Sequence, residues 1–331
     1  MLSAVIVNYK MAAYLPALAV SLMAEGVDEI IVVDNPSTPE ERERVTALAG
    51  AKAVFPEENR GYGAALNAGA NAAKGDLLLL MNPDMEAPPG ALAPLVAALE
   101  RFQAAAPNTT WDRGGRWLLP HPQPHTWRTD FTLHARPEAA LRQALAYQTR
   151  LWTGAEPAEV PLLSGAAFLI RREAFQAVGG FDERYFLYFE ENDLFERLRA
   201  AGFRAAVVPR ARFLHFHAPG RDDRQGERYR ASRELYESTW FPRPYLHSRP
   251  LLPSPAPLPA PPLEWEAPLE AGGRTVLYSP SPFLLPCAAA FGVKGSPTPK
   301  ELLAGTPAAG GYLALADGTT VRERYQLNPL S

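Results

Sequence analysis

Cysteine is almost missing. Cys287 stands alone, which excludes an internal disulfide and any cysteine-based zinc site and fits a reducing compartment. Long apolar runs are missing as well: none approaches the roughly 20 residues of a membrane span. Met1 leads straight into a strand pattern with no basic n-region or apolar h-region, so no secretory leader is expected. There is no excess of basic charge. A formal net charge of -3 and no basic patch argue against nucleic-acid binding. What is plentiful is apolar content, 47% over 331 residues, enough for one large or two ordinary cores in a globular chain. A cytoplasmic location is expected, with peripheral contact at the inner face of the membrane left open.

The stretch Asp76 to Asp84, DLLLLMNPD, sets the organisation. A short all-apolar run bounded by Lys74-Gly75 and by proline predicts a strand buried on both faces. Pro83 cannot donate to a sheet ladder, so the chain leaves the sheet there and Asp84 falls at the carboxyl end of a central strand. Ligands of open α/β sheets bind at that edge.

Upstream, strand and helix patterns alternate. SAVIVNYK predicts a strand, Leu15 to Glu25 a helix, Glu29 to Val33 a strand, PEERERVTALAG a helix, Ala51 to Phe55 a strand and AALNAGANAAKG a helix. That rhythm predicts right-handed crossovers and a parallel sheet with helices on both faces. Three strand ends carry polar residues: Asn8-Tyr9, Asp34-Asn35, and Asn82 with Asp84. In a parallel sheet these ends share one rim, as a nucleotide crevice requires. Turn chemistry is the alternative for Asp34 and Asn35, since such side chains bond their own backbone. Gly61-Tyr62-Gly63 before a helix lets backbone N–H groups approach a phosphate. It is not a dinucleotide fingerprint, because the first strand ends in Asn-Tyr-Lys and the third glycine position is Leu66.

The blocks VIVNYK, VVDNPST, ENRGYGAALNAGANAAKGDLLLLMNPD and LLSGAAFLIRREAFQAVGGFDERYFLYFEENDLFERLRAAGFRAAVVPRARFLH, spread from about Ser3 to His217, resemble glycosyltransferase family 2, especially its rhamnosyltransferase-like members. The resemblance implies the Rossmann-like GT-A fold, a mixed, mostly parallel α/β sheet, and inverting transfer from a nucleotide-diphosphate sugar. It implies nucleotide-sugar contacts at Asn8, Tyr9, Asp34, Asn35, Asn59, Gly61, Gly63, Asn67 and Asn82, with Asp34 on the base. Asp84 would be the surviving acid of the metal-binding motif, here spelled NPD with Asn82 first, and Mn²⁺ or Mg²⁺ its ion. Chemistry supports the grouping, because a diphosphate leaving group is neutralised by a hard divalent ion held on one or two carboxylates. Capping of the helix that follows is the alternative for Asp84.

Between Phe102 and Pro161 an irregular packed loop is expected, with a helix from Glu138 to Leu151. His121, His125 and His134 match no zinc spacing and are taken as ordinary loop histidines. Trp111, Trp117 and Trp127 are either an acceptor platform or core. Farther on, FDERYFLYFEEND sets aromatics beside acids, and DLFERLRAAG predicts a helix with Asp193 and Glu196 in a capping box. Inverting transfer needs a general base, and a carboxylate in a dry aromatic setting has its pKa raised toward the working pH. The resemblance assigns that role to Glu191, where the family uses aspartate, with Glu190 second. It offers His215 as a metal or diphosphate ligand; a structural histidine on a strand face is the alternative. Arg221 to Arg230 is either a diphosphate-contacting flap or a solvated charge run.

Nine of the 34 prolines fall between Pro242 and Pro262. That density predicts an extended linker or strap rather than regular structure, followed by short strands and a helical turn or two. The expected organisation is a GT-A domain over 1–240, a Pro-rich segment over 241–268 and a small appendage over 269–331. The expected activity is metal-dependent transfer of a hexose or deoxyhexose from a UDP- or dTDP-sugar to a hydroxyl of a glycan, lipid-linked saccharide or small metabolite, with homo-oligomerisation open. Two rivals are an inactive sugar-nucleotide-binding module and a sugar nucleotidyltransferase, though the latter's glycine- and arginine-rich first loop is absent after Val7.

Overall fold

The computed structural model describes residues 1–216, 224–255, 259–280, 286–304, 306 and 310–329. In chain order the strands are β1 (Leu2–Asn8), β2 (Glu29–Asp34), β3 (Ala51–Val54), β4 (Leu77–Met81), β5 (Met85–Glu86), β6 (Ala104–Thr110), β7 (Ala158–Val160), β8 (Ala167–Arg171), β9 (Ala205–His215), β10 (Pro262–Leu263), β11 (Thr275–Ser279), β12 (Ala288–Ala290), β13 (Gly311–Asp317) and β14 (Thr320–Leu327). The helices are α1 (Leu15–Ala24), α2 (Pro39–Thr46), α3 (Tyr62–Ala72), α4 (Leu92–Ala98), α5 (Trp127–Ala135), α6 (Pro137–Thr153), α7 (Arg172–Ala177), α8 (Glu190–Ala200), α9 (Gln225–Trp240), α10 (Arg243–Ser248) and α11 (Pro299–Leu302). None of the helices among the described residues is long and apolar enough to cross a membrane.

Contacts divide the chain into two units. The first gathers Met1–Asn108, Ala155–Phe213 and α9 with Phe241; the second gathers Thr109–Gly154, the short stretch from Leu214 and the chain from Pro242 on. The sheet of the first unit runs β3-β2-β1-β4-β8-β6-β9-β5, with β7 paired to β9. β3, β2, β1 and β4 pair in parallel, as the alternation of strand and helix requires. β8 then joins β4 antiparallel, placing Ala167 opposite Met81, and the sheet becomes mixed. The apolar runs of β1, β2 and β4 are buried because the sheet is covered on both faces. On one side α1 and α4 pack with these strands in a core that includes Ile6, Leu18, Leu22, Leu79 and Leu95. α3 lies so close to β1 and β2 that a Cβ at Gly69 would come within 2.3 Å of a Val5 methyl. Only glycine fits there.

The second unit has its own sheet, β10-β14-β13-β11-β12. The stretch around Thr109–Leu119, expected to belong with the first 240 residues, groups here: Leu118 bridges to Ala289, and Trp117 is buried in a core with Tyr278, Leu313 and Leu327. Trp117 therefore cannot be a sugar platform; its indole N–H donates to the Leu302 carbonyl.

Other expectations fail for identifiable reasons. β6, spelled AAAPNTT, has poor intrinsic strand preference and forms by pairing with β8. α5 is opened by a Thr126–Thr129 capping box that a histidine- and proline-rich context hid. α10 forms inside the proline-dense stretch because Pro244 sits in its first turn, where a missing N–H costs nothing. Arg224 onward leads into α9, so that part of the 221–230 charge run is helix; Arg221 and His217 lie outside the described residues. His121 is buried, its pKa held down at about 4 by burial, as a packed histidine would be.

Candidate active site

The carboxyl ends of β1, β2 and β4 meet in register. Asn8 is the Cα partner of Asp34, its side-chain amide donates to the Asp34 carboxylate at 2.7 Å, and its carbonyl accepts from Asn35 N–H. All three are nearly inaccessible. Burial lifts the Asp34 carboxyl above its usual range, with the Asn8 hydrogen bond opposing. The turn alternative thus gives way to a cross-strand pair. Tyr9 follows, half-buried, with the Lys10 ammonium 5.1 Å from its ring centre.

One strand along, Asn82 N–H donates to Ala166 carbonyl. Asp84, 3% exposed, precedes β5 directly, while α4 begins only at Leu92 with Ala91 as its cap. Asp84 is not a helix cap.

A side chain the sequence did not single out joins these ends. The Tyr62 hydroxyl, at the start of α3, lies 2.8 Å from Asn82 Oδ1 and 2.9 Å from the Gly165 carbonyl. Burial pushes its pKa far up, and the charges of Glu190, Glu191 and Asp84 push it further. The charges of three carboxylates from two separate parts of the chain thus act on one phenol. Glu190 is 4% exposed and its Oε2 has no hydrogen-bond partner among the described residues. Burial, then repulsion from Glu191, raise its pKa well above the carboxylate norm. Burial also raises Glu191, which is half-buried and lies against Gly165. Leaving such acids close together in a dry cleft is costly unless a proton or a cation is supplied.

Glu190 and Glu191 open α8. The expected Asp193–Glu196 capping box does not form: the helix starts three residues earlier, after Phe189. Tyr188 and Phe189 both have left-handed backbone, at φ 71 and 66, which costs about 1 kcal/mol or more for each non-glycine residue. α9 holds this kink. Ser232 hydroxyl donates to Leu187 carbonyl at 2.8 Å, Gln225 donates to the Tyr188 hydroxyl, and Phe189 packs on Tyr229 and Tyr236. The Arg228 guanidinium stacks 3.8 Å from the Phe186 ring centre. Phe186 in turn accepts from Tyr62 N–H, and at Gly61 (φ 102) a Cβ would lie 2.2 Å from that same carbonyl oxygen. Gly61 is therefore needed for close approach of the two loops.

Other expected site residues are occupied structurally. Asn59 accepts from Gly61 N–H and shapes the turn. Asn67 clamps Phe181, donating to its carbonyl and accepting its N–H. A Cβ at Gly63 would press on Phe181 at 3.0 Å. His215, buried, ends β9 and counts with the second unit.

A sheet edge with buried polar strand ends and an acid cluster invites comparison with known proteins. The model of glycosyl transferase family 2 matches residues 3–179. The chain belongs to glycosyltransferase family 2. A second model, described as the N-terminal domain of galactosyltransferase, matches residues 156–219. The glycosyltransferase is 31% identical over 230 residues to an N-acetylglucosaminyl-diphospho-decaprenol L-rhamnosyltransferase of Mycobacterium tuberculosis, covering 62% of this chain and 72% of that one. It is 30% identical over 171 residues to the O-antigen biosynthesis protein RfbC of Myxococcus xanthus, covering 48% of this chain and 12% of RfbC. Among solved structures, GalNAc-T7 with UDP, GalNAc and Mn²⁺ superposes with a TM-score of 0.50 at 17% identity, over 96% of this chain and 64% of that chain. The mixed sheet flanked by helices is the GT-A fold.

Proposed function

We propose that this family 2 glycosyltransferase moves a hexose or deoxyhexose, rhamnose-like, from a UDP- or dTDP-sugar to a hydroxyl of a glycan, lipid-linked saccharide or small metabolite, with inversion and with a divalent ion. The observation that carries this reading is the row of buried polar groups at the carboxyl edge of the parallel strands, Asn8 on Asp34 and Asn82 with Asp84, joined through the Tyr62 hydroxyl to Gly165, against which Glu191 lies. The similarity to a rhamnosyltransferase favours a deoxyhexose.

The residues fit a metal ion, since Asp84 is a hard carboxylate ligand, 3% exposed, at the carboxyl edge of the parallel strands. Asp84 would hold it, and a bound Mn²⁺ or Mg²⁺ would supply charge neutralisation for the diphosphate. Asp34, fixed by Asn8, faces the base end of the donor. Glu191 takes the acceptor hydroxyl's proton while the oxygen bonds to the anomeric carbon and the nucleoside diphosphate leaves from the opposite face with its bonding pair. Burial and the neighbouring Glu191 raise the Glu190 carboxyl, and burial raises Glu191 as well, the direction a general base near working pH needs. Tyr62 fixes Asn82 beside Asp84.

The test is thermal stabilisation by nucleotides and nucleotide sugars with and without Mn²⁺ or Mg²⁺. A ligand at about 100 times its Kd stabilises by about 2.7 kcal/mol. A metal-dependent shift with one pyrimidine diphosphate family, absent in Asp84→Ala, is expected. An equal shift in that variant removes the metal assignment, and a product of retained anomeric configuration by NMR removes the mechanism.

A further inference from the structure

The second unit carries three exposed large apolar side chains on two joined segments, with arginines in both. α5 presents Trp127 and Phe131, four residues apart on one helix face, 36% and 45% exposed. Leu251, in the 3-10 turn after α10, is 86% exposed, the most open of the large apolar side chains among the described residues. These segments are fastened to each other. The Tyr245 hydroxyl donates to the Asp130 carboxylate at 2.6 Å, Arg249 pairs with the same carboxylate at 3.1 Å, and the Trp127 and Tyr245 rings lie 5.8 Å apart. A buried hydrogen-bonded aspartate thus holds the apolar face in place rather than leaving it to collapse onto a core.

Charge identifies the occupant. Residues 121–136 and 242–255 contain four arginines and one acid, Asp130, which is itself buried and paired. Arg128, Arg136 and Arg243 are exposed. The whole chain is net negative at -3, so this positive charge is a local concentration. The Arg128 guanidinium sits 5.1 Å from the Trp127 ring centre, so cation and aromatic share one surface. Aromatic and aliphatic side chains beside arginines whose stems extend past them are suited to the boundary between headgroups and acyl chains. Anionic headgroups complement the arginines, and acyl chains take the apolar tips.

We infer that the face formed by α5 and the α10 turn docks the enzyme on an anionic lipid bilayer. This does not rest on the donor chemistry, and the two readings fail separately.

The experiment is co-sedimentation of the full-length protein with phosphatidylcholine vesicles and with vesicles that also contain anionic phosphatidylglycerol, whose negative surface potential attracts basic segments, together with transfer to a soluble acceptor. Wild-type protein is expected to partition at least tenfold more strongly into the anionic vesicles and to be released by high salt. Phe131→Ser with Leu251→Ser is expected to lower that partition about tenfold; Arg128→Glu with Arg243→Glu is expected to remove the preference for anionic lipid. Transfer to the soluble acceptor is unchanged in both. All four side chains are exposed, so folding survives. Equal partition of variants and wild type overturns the inference, as does wild-type binding that ignores lipid charge. A wild-type dimer that both variants convert to monomer, with no vesicle binding, assigns the face to a second copy instead.

Discussion

Asp193 and Glu190 stand one turn apart on α8, 2% and 4% exposed, and their surroundings differ completely. Asp193 accepts from Arg197 Nε at 2.8 Å and from Trp240 indole N–H at 3.0 Å, and Arg197 continues to the carbonyls of Val178 and Gly180. That carboxylate ties α8 to α9 and to the loop after α7. Glu190 has an oxygen with no donor and a like-charged neighbour beside it. Burial alone does not mark a functional acid. A buried acid with its donors supplied is structural, whereas one left without them retains a free energy that a substrate, proton or ion can relieve.

The strongest way to sharpen the contrast is at the first turn of α8. Glu191→Gln is expected to lower turnover by about a thousandfold, in line with the loss of a positioned base, while nucleotide-dependent thermal stabilisation survives. Unchanged turnover would send the base role elsewhere. Asp193→Ala is expected to act on stability instead, costing about 3 kcal/mol by leaving Arg197 and Trp240 without their acceptor, read as a lower denaturant midpoint. If it proves neutral, the paired acid is no anchor. The smallest effect has the opposite sign. Because the folded pKa of Glu190 is raised, its contribution to stability is complete below the unfolded value near 4.5 and is lost as pH rises through the folded value. Glu190→Gln cannot titrate, so it is expected to melt about 2 °C higher than wild type at pH 8 and with no difference at pH 4, on the scale of about 1 kcal/mol. A lower melting point at pH 8 would show that Glu190 is satisfied in the native state.

Much of this site was legible because it is local. Asn8, Asp34, Asn82 and Asp84 each follow an apolar run that can only be a strand, and parallel strands must bring such ends to one rim. Tyr62 was not legible: the GYG turn drew notice for its glycines, but the hydroxyl acquires its meaning from Asn82 and from Gly165, 103 residues away. For Asn67 the sequence did not show that the side chain serves the Phe181 backbone groups 114 positions on. The capping box at Asp193 fitted a local pattern that Arg197 and Trp240 override.

By itself the sequence determined the order of strands and helices in the first half, the polar rim and the family, because hydrophobic period, proline and glycine act within a few residues. Only the tertiary structure decided the left-handed turn at Tyr188–Phe189, held by α9 some forty residues later, the joining of Asn82 to Gly165 through the Tyr62 hydroxyl, and the burial of Trp117 in a second core. The reason is physical: a backbone strained by about 1 kcal/mol per residue, or a carboxylate kept from water, persists only where packing from distant parts of the chain outweighs the local preference.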